Sequence, residues 1–180
     1  ITENTCFEGF QSEFYASPQI NVELNMYETD FSNYDSLIII ENRDSFNDWH
    51  LFQIQVEDAL GKVLAIYRGD SHYAIAATSL LKQWRDTHPE RAVVYFGDFD
   101  LSGLMLAVSA KCTHLLLPSH EFIKANVISQ HYPDDQLKYL AGLEVTCPSG
   151  WQLLLSLMSS HRAGLRQQRM YNTPLILYKS

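Results

Sequence analysis

The sequence predicts an α/β fold in which a parallel sheet of about four strands carries helices on both faces. Two observations predict this class. From Asp35 onward, short apolar runs rich in β-branched residues alternate with longer segments of helical period. Continuous apolar runs are typical of strands buried on both faces, and repeated strand-helix units build a parallel sheet.

Each element of this core is predicted by its own pattern. The predicted strands are Ser36–Glu41, Lys62–Tyr67, Arg91–Phe96 and Thr113–Leu117. The predicted helices, in which apolar residues recur on one face, are Arg43–Ala59, His72–Thr87, Leu101–Lys111 and Glu121–Ser129. The succession of strand-helix units assigns residues 35–130 to one Rossmann-like core.

Both ends of the chain extend this core. In residues 1–34 the one alternating run, Ile20–Tyr27, indicates either an added strand or a lead-in from a preceding domain. Because the sequence begins at Ile1 rather than Met, we expect residues 1–34 to be a lead-in segment at the end of a missing N-terminal domain. Residues 131–180 are predicted to be a helical C-terminal extension of the same domain. Its predicted elements are the helices Asp134–Leu143, Ser149–Ser160 and Arg162–Met170 and the short strand Leu175–Tyr178.

The composition excludes several classes of protein. With 13 Lys and Arg against 21 Asp and Glu, the formal net charge is −8, so no basic field covers the domain and any contact with nucleic acid must be local or mediated by a metal ion. No apolar run approaches the ~18 residues of a membrane helix. Three cysteines without a C-x-x-C pair indicate reduced thiols rather than a disulfide framework or a zinc site. We therefore expect a soluble, cytoplasmic protein.

Acidic residues stand where the predicted strands end. Glu41 closes the first strand, and Asp98 and Asp100 directly follow the third. Because the carboxyl ends of parallel strands converge, these carboxylates should lie together and repel one another unless a cation binds them. Hard oxygen ligands favour Mg²⁺ or Mn²⁺. The alternative is that Asp98 or Asp100 caps the helix that begins near Leu101.

The order of these residues along the chain resembles the Toprim domain, the metal-binding fold shared by topoisomerases, bacterial primases and several nucleases. The matching features are a strand ending in Glu41, a second strand ending at Arg68, and a third strand followed by Asp98-x-Asp100. The resemblance covers the part of the chain from Asp35 to Pro118.

One segment is similar to a narrower family. The string from Val94 to Gly103, VYFGDFDLSG, is similar to the YWGDxDxxG segment of JetD-type proteins. These are the Toprim subunits of Wadjet-like bacterial SMC systems that cleave plasmid DNA, and they are related to the topoisomerase VI A subunit. A weaker match continues in LRQQRM, where JetD-like chains often carry an L-E-Q-E-R-like helix. Arg166 and Gln168 stand at the two Glu positions of that helix, so the resemblance implies no acidic role there.

The resemblance implies a Mg²⁺-dependent or Mn²⁺-dependent DNA endonuclease that cleaves plasmid or other foreign DNA within an SMC-type defence complex. It implies that Glu41, Asp98 and Asp100 are the catalytic and metal-binding residues, with Glu41 either a third ligand or the general acid/base. The implied partners are DNA, SMC-complex subunits and a second copy of the chain in a homodimer.

Four arginines are candidate DNA contacts. Arg68 follows the second strand and either binds a phosphate or pairs with Asp70 on the surface. Arg162, Arg166 and Arg169 share one face of a predicted helix. That face either grips a DNA backbone or is a solvated or partner-binding surface.

Two other functions stay open on the sequence alone. Asp98–Ser102 partly matches the D-x-D-x-T motif of haloacid-dehalogenase-type phosphatases, although that family carries the motif on its first strand and two strand-helix units precede it here. The apolar segment Trp151–Met158 suits an interface of a non-catalytic Toprim-like scaffold that binds partner subunits, although core packing explains it equally well.

Overall fold

A mixed β-sheet organises the domain. The computed structural model describes residues 4–9, 22–25, 30–54, 57–69 and 74–180. Its strands are β1 Asn4–Gly9, β2 Val22–Asn25, β3 Ser36–Ile40, β4 Gln53–Ile54, β5 Val63–Tyr67, β6 Ala92–Phe96, β7 His114–Pro118 and β8 Pro174–Lys179. They lie in the order β2-β1-β5-β3-β6-β7-β8-β4.

The four strands predicted for the core form the parallel centre of this sheet, β5-β3-β6-β7. Ile39 of β3 pairs with Ile66 of β5 on one side and with Tyr95 of β6 on the other. Every residue of β3 is buried, because this strand has a neighbour on each side and packing on each face. The structure confirms the α/β class with a mostly parallel sheet.

Helices cover both faces of the parallel centre. They are α1 Arg43–Asn47, α2 Glu57–Leu60, α3 Ala74–Thr87, α4 Leu101–Ser109, α5 His120–Asn126, α6 Leu140–Thr146 and α7 Gln152–His161. On one face, Leu81 of α3 and Leu106 of α4 line a cavity above Tyr95. On the other face, the ring centroid of Phe46 in α1 lies 6.4 Å from that of Tyr67.

The sheet is larger than predicted, because strands add to both edges of the parallel centre. β1 pairs antiparallel with β5, and β2 pairs antiparallel with β1. β2 lies within the predicted run Ile20–Tyr27, whose other residues lie outside the described residues. At the opposite edge β8, predicted at Leu175–Tyr178, pairs antiparallel with β7 and parallel with β4.

The predicted helix Arg43–Ala59 is wrong. The chain instead forms α1, a 3₁₀ turn at Trp49–Leu51, β4 and α2. Trp49 and Phe52 are buried, and their ring centroids lie 5.4 and 4.7 Å from that of Phe96. Burial of two large aromatic side chains against the sheet outweighs the helical spacing of this segment.

The predicted helix Arg162–Met170 is also wrong. Arg162 has φ 44° and ψ 49°, the left-handed conformation that ends α7. The chain then extends, and Leu165 forms an antiparallel bridge with Phe99 before a 3₁₀ turn at Gln167–Met170. This extended course brings the segment beside the loop that follows β6.

The other predicted C-terminal helices are present with shifted bounds. The first, predicted at Asp134–Leu143, begins as a 3₁₀ helix over Asp134–Tyr139 and continues as α6. The second, predicted at Ser149–Ser160, begins as a 3₁₀ turn and continues as α7. Of the helices in the described ranges, none has both the length and the apolar composition needed to cross a membrane.

Candidate functional site

The candidate site lies where the strand order of the parallel centre reverses. From β3 the chain passes to β5 on one side and returns to β6 on the other, so the carboxyl ends of β3 and β6 are adjacent. The pairing continues past both strands, since Glu41 N donates to Phe96 O at 2.9 Å. Glu41 and the loop that begins at Gly97 therefore meet at the crevice where open α/β sheets commonly bind ligands.

The carboxylate of Glu41 folds against the start of this loop. Its Oε2 accepts a hydrogen bond from Asp98 N at 3.1 Å. A Cβ atom at Gly97 would overlap Glu41 Oε2 and lie 2.5 Å from Cε1 of Tyr95. The close approach of Glu41 therefore depends on a glycine at this position.

Asp98 is held by the side chain of Asn42 and the backbone N–H of Gln167. Its Oδ1 accepts hydrogen bonds from Gln167 N at 2.8 Å and from Asn42 Nδ2 at 3.1 Å. Gln167 is fully buried, and its Oε1 accepts from Asn42 N at 3.2 Å and from Asn42 Nδ2 at 2.5 Å. The Nε2 of Gln167 donates to Phe96 O at 3.1 Å. Asn42 and Gln167 together fix the position of the Asp98 carboxylate at the end of β6.

Asp100 caps α4, so the helix-cap alternative applies to this residue. Its Oδ1 accepts a hydrogen bond from Gly103 N at 2.7 Å. Its Oδ2 accepts from Gln136 Nε2 at 2.9 Å, and Gln136 Oε1 accepts from Ser102 N at 3.1 Å. Gln136 thus ties the cap to the segment that precedes α6.

Asp98 and Asp100 line a common cleft of about 360 Å³, a size typical of small-ligand sites. Arg166 brings a positive charge to the same cleft. The other lining residues are Asn42, Gln130, His131, Pro133, Gln136, Leu165 and Gln168. Glu41 is absent from this lining and reaches the cleft through its hydrogen bond with the Asp98 backbone.

Burial weakens the acidity of all three carboxyl groups, and repulsion by a neighbouring carboxylate adds to this at Glu41 and Asp100. Burial, followed by the charges of Asp98 and Asp100, raises the pKa of Glu41 to about 7. Burial also raises the pKa of Asp98 and that of Asp100, although their hydrogen bonds oppose the shift. The charge of Arg166 opposes it further at Asp98. A bound cation would relieve this repulsion.

The four candidate arginines do not form one surface. Arg166 lines the cleft, whereas Arg162 ends α7 and Arg169 lies in the 3₁₀ turn. The shared helical face predicted for these three residues is therefore wrong, because the left-handed conformation at Arg162 stops the helix. Arg68 lies in the wall of a second cavity, under α3 and α4. Asp70, its alternative partner, lies outside the described residues.

Three amide side chains complete the site, and no periodic pattern predicts them. Asn42 directly follows Glu41 at the end of β3, and this adjacency is the one signal that could have identified it. Gln136 and Gln167 lie in 3₁₀ helices of the C-terminal region and reach the carboxylates only through tertiary contacts.

The donor chemistry of the cleft partly suits a hard divalent cation. Mg²⁺ is usually held by one or two carboxylates, with water and substrate phosphate oxygens in the other positions. Asp98 and Asp100 in one cleft fit that arrangement. Across the described ranges, however, no group of three or more His, Cys, Asp or Glu side chains is placed to hold a metal ion. Asp98 and Asp100 therefore share a cleft, whereas Glu41 does not line it.

Comparison with known proteins assigns the chain to a family. A search of the curated proteins found none that matches it. The family model described as Domain of unknown function (DUF7281) matches residues 7–178. Because this match spans nearly the whole chain, the protein belongs to the DUF7281 family.

Proposed function

We propose that this domain is a divalent-metal-dependent DNA endonuclease of the Toprim type. The observation that carries the proposal is the meeting of Glu41, Asp98 and Asp100 at the ends of adjacent parallel strands, where the strand order reverses. Ligands commonly bind at such a point in open α/β sheets. Carboxylates crowded there suit a hard cation, which in turn suits a phosphodiester substrate.

Different residues of the cleft bind the metal ion, bind the substrate and orient the metal-binding carboxylate. Asp98 and Asp100 would hold Mg²⁺ or Mn²⁺, which when bound supplies charge neutralisation at the scissile phosphate and a more acidic water. Asn42 and Gln167 orient the carboxylate of Asp98. Arg166 binds a phosphate oxygen of the DNA at the open side of the cleft.

Glu41 is the general acid/base in this proposal. Its Oε2 accepts a hydrogen bond from Asp98 N, and its side chain does not line the cleft, so its proton would pass to or from the substrate through one bridging water molecule. Burial raises its pKa to about 7. A carboxyl group with such a pKa gives up and regains a proton readily near neutral pH.

Affinity for DNA has to come from more than this cleft. The formal net charge of −8 opposes binding to phosphates. We expect the subunits of an SMC-type plasmid-defence complex, or a second copy of the chain in a homodimer, to supply the additional contacts. Such a complex acts on plasmid DNA in the bacterial cytoplasm.

Plasmid nicking and metal binding test the proposal together. With Mn²⁺ at low ionic strength, the chain should nick supercoiled plasmid, and Asp98→Asn should slow nicking by about a hundredfold or more. Glu144→Gln, which removes an exposed carboxylate on α6, is the matched control and should retain the activity.

By titration calorimetry without DNA, wild type and Glu144→Gln should bind Mn²⁺, and an Asp98→Asn/Asp100→Asn double variant should not. Absence of Mn²⁺ binding in wild type, or equal binding by the double variant, would refute the metal site.

A non-catalytic scaffold that binds partner subunits is the second candidate, and one observation favours it. Asp98 and Asp100 already accept hydrogen bonds from Asn42, Gln167 and Gln136, which tie the C-terminal region to the strand ends. On that hypothesis the wild-type protein neither nicks plasmid nor binds Mn²⁺ in this cleft, and Asp98→Asn lowers its thermal stability. The phosphatase alternative predicts metal-dependent hydrolysis of p-nitrophenyl phosphate by the same protein preparation.

A further inference from the structure

A second cavity lies between α3 and α4, on the face of the sheet that carries Tyr95. It measures about 430 Å³, which is in the range of small-molecule sites. Ile39, Ile66 and Tyr95, from three adjacent strands, form its floor. Leu81 of α3 and Leu106 of α4 form apolar walls. The cavity is therefore an apolar slot between two helices.

Two buried donors of this cavity lack a well-formed hydrogen bond. Tyr95 is 2% exposed, and its hydroxyl lies close enough to the Glu41 carboxylate for the two groups to shift each other's pKa, but its geometry is not that of a hydrogen bond to any described residue. Arg68 Nε is also buried with no acceptor in the described part of the chain. Arg68 lies close enough for its charge to act on the Tyr95 hydroxyl. Buried donors without partners are rare, and each calls for an explanation such as a ligand or a water molecule.

The charge around the cavity is positive, in contrast to the net charge of the chain. Arg68, Lys82 and Arg85 line the cavity together with one acidic residue, Asp86. The guanidinium of Arg85 donates a hydrogen bond to the carbonyl of Ala110. Arg68, at the floor, and Lys82, at the exposed rim, are therefore the cations best placed to meet a ligand.

We propose that this cavity binds a small amphipathic anion, with a carboxylate or phosphate head group on an apolar body. The head group accepts hydrogen bonds from Arg68 Nε and from the Tyr95 hydroxyl, donors that match an oxyanion. The apolar body packs between Leu81 and Leu106, where its burial is favourable. Inorganic phosphate alone is a poor ligand, because it gains nothing from these walls and loses its hydration.

The side chain of Tyr95 separates this cavity from Glu41 in the carboxylate site. Tyr95 and Glu41 both approach Gly97 so closely that a Cβ atom there would overlap them. A ligand on Tyr95 is therefore placed to act on Glu41 as an effector. The binding itself does not rest on the nuclease proposal, because neither metal nor DNA takes part in it.

Binding of 8-anilinonaphthalene-1-sulfonate, a fluorescent aromatic anion, tests the proposal in metal-free protein. Wild type should bind the probe saturably, and so should Lys124→Gln, which removes an exposed charge from α5. Arg68→Gln should weaken binding by about tenfold to a hundredfold, as expected when a charge-assisted hydrogen bond is lost. Tyr95→Phe should weaken it by about threefold to tenfold. Displacement of the probe by decanoate identifies a carboxylate on an alkyl body, and displacement by adenosine monophosphate identifies a nucleotide.

A second variant keeps the test decisive if the buried positions tolerate no change. Ser109 is exposed at the end of α4 and lines the cavity, so Ser109→Trp should block the cavity without disturbing the core. Urea unfolding checks that each variant is folded. The proposal is overturned if wild type binds no probe saturably, if Arg68→Gln and Ser109→Trp bind it as wild type does, or if neither competitor displaces it.

Discussion

The strand ends and the C-terminal segment 162–170 both build the cleft, but different forces give them their conformations. Glu41 continues the ladder of β3 with β6 by one residue, through its backbone hydrogen bond to Phe96 O, and Asp98 follows β6 with only Gly97 between them. Segment 162–170 has no such ladder and is held by the bridge of Leu165 with Phe99 and by the hydrogen bonds of Gln167. The proposed catalytic carboxylates thus lie just beyond regular strands, whereas Arg166 and Gln167, which neutralise and position them, depend on tertiary contacts.

The largest effect is expected at the strand ends. Glu41→Gln should reduce Mn²⁺-dependent plasmid nicking by about 10²–10⁴-fold, because an amide of the same shape cannot transfer a proton. The variant should stay folded, and its melting temperature should not fall, since a cluster of like charges loses one member. Nicking rates and thermal unfolding of the same preparations measure both effects. Cleavage at the wild-type rate would make Glu41 a structural residue and would leave the phosphatase alternative the stronger one.

The pH dependence of the stability of the metal-free protein is a second test of Glu41. The pKa of Glu41 is about 7 in the folded protein against an ordinary value of 4.5. Between these values the folded state keeps a proton that the unfolded state releases, so stability should fall as the pH rises through this window. The loss attributable to Glu41 is at most about 3 kcal/mol, at about 1.36 kcal/mol per pKa unit.

Urea unfolding of metal-free protein from about pH 5 to about pH 8 measures this loss. Glu41→Gln should flatten the profile. Burial raises the pKa of Asp98 and that of Asp100, which adds to the loss, and it lowers the pKa of His114 and that of His131, which acts in the opposite direction. The difference between the two profiles therefore reports Glu41 together with its repulsion by Asp98 and Asp100, and parallel profiles would show that this carboxyl ionises as freely in the folded chain as in the unfolded one.

Sequence patterns predict the strand half of the site for a physical reason. A strand covered on both faces has to be apolar along its length, so an acidic residue at its end is conspicuous. Glu41, Asp98 and Asp100 are recognised in this way, and the Gly97 that precedes the pair has a steric role that the structure explains. The same reasoning predicts the four central strands.

The other half could not be predicted, because its conformation follows from contacts between distant parts of the chain. A left-handed helix end usually carries glycine, and at Arg162 the sequence gives no such indication. Gln136 and Gln167 are amides in short 3₁₀ helices, and no hydrophobic period distinguishes them from other polar residues. Tertiary contacts also decide the conformation of the segment predicted as the helix Arg43–Ala59. There Trp49 and Phe52 pack against Phe96 of the sheet, and the chain does not form the continuous helix.

Gln167→Met tests whether one buried amide holds the C-terminal segment in place. The change removes the hydrogen bonds to Asn42 and to Phe96 O while keeping most of the volume. We expect a loss of about 1–3 kcal/mol in the free energy of unfolding, because buried polar partners are left unsatisfied. Gln168→Met, at an exposed neighbouring position, should change it by less than about 0.5 kcal/mol. Equal values for the two variants would mean that the segment is held by its backbone contacts alone.

The smallest effect is expected at Arg166, where the two halves of the site meet. Arg166→Gln should lower kcat/KM for plasmid nicking by about tenfold, the equivalent of about 1.4 kcal/mol, because an exposed cation is partly screened by solvent. Arg162→Gln removes the same charge at the end of α7, outside the cleft lining, and should have little effect.

The pH profile of nicking distinguishes a local effect of the Arg166 charge on Asp98 from a long-range effect of the net charge of the chain. The charge of Arg166 opposes the raised pKa of Asp98, which has burial as its main cause. Without that charge the pKa of Asp98 rises further, so the carboxylate needs a higher pH to ionise. The acidic limb of the nicking profile should therefore move to higher pH in Arg166→Gln and stay in place in Arg162→Gln. If both variants shift the limb equally, the effect is long-range, and the C-terminal segment contributes charge to the protein as a whole rather than to the cleft.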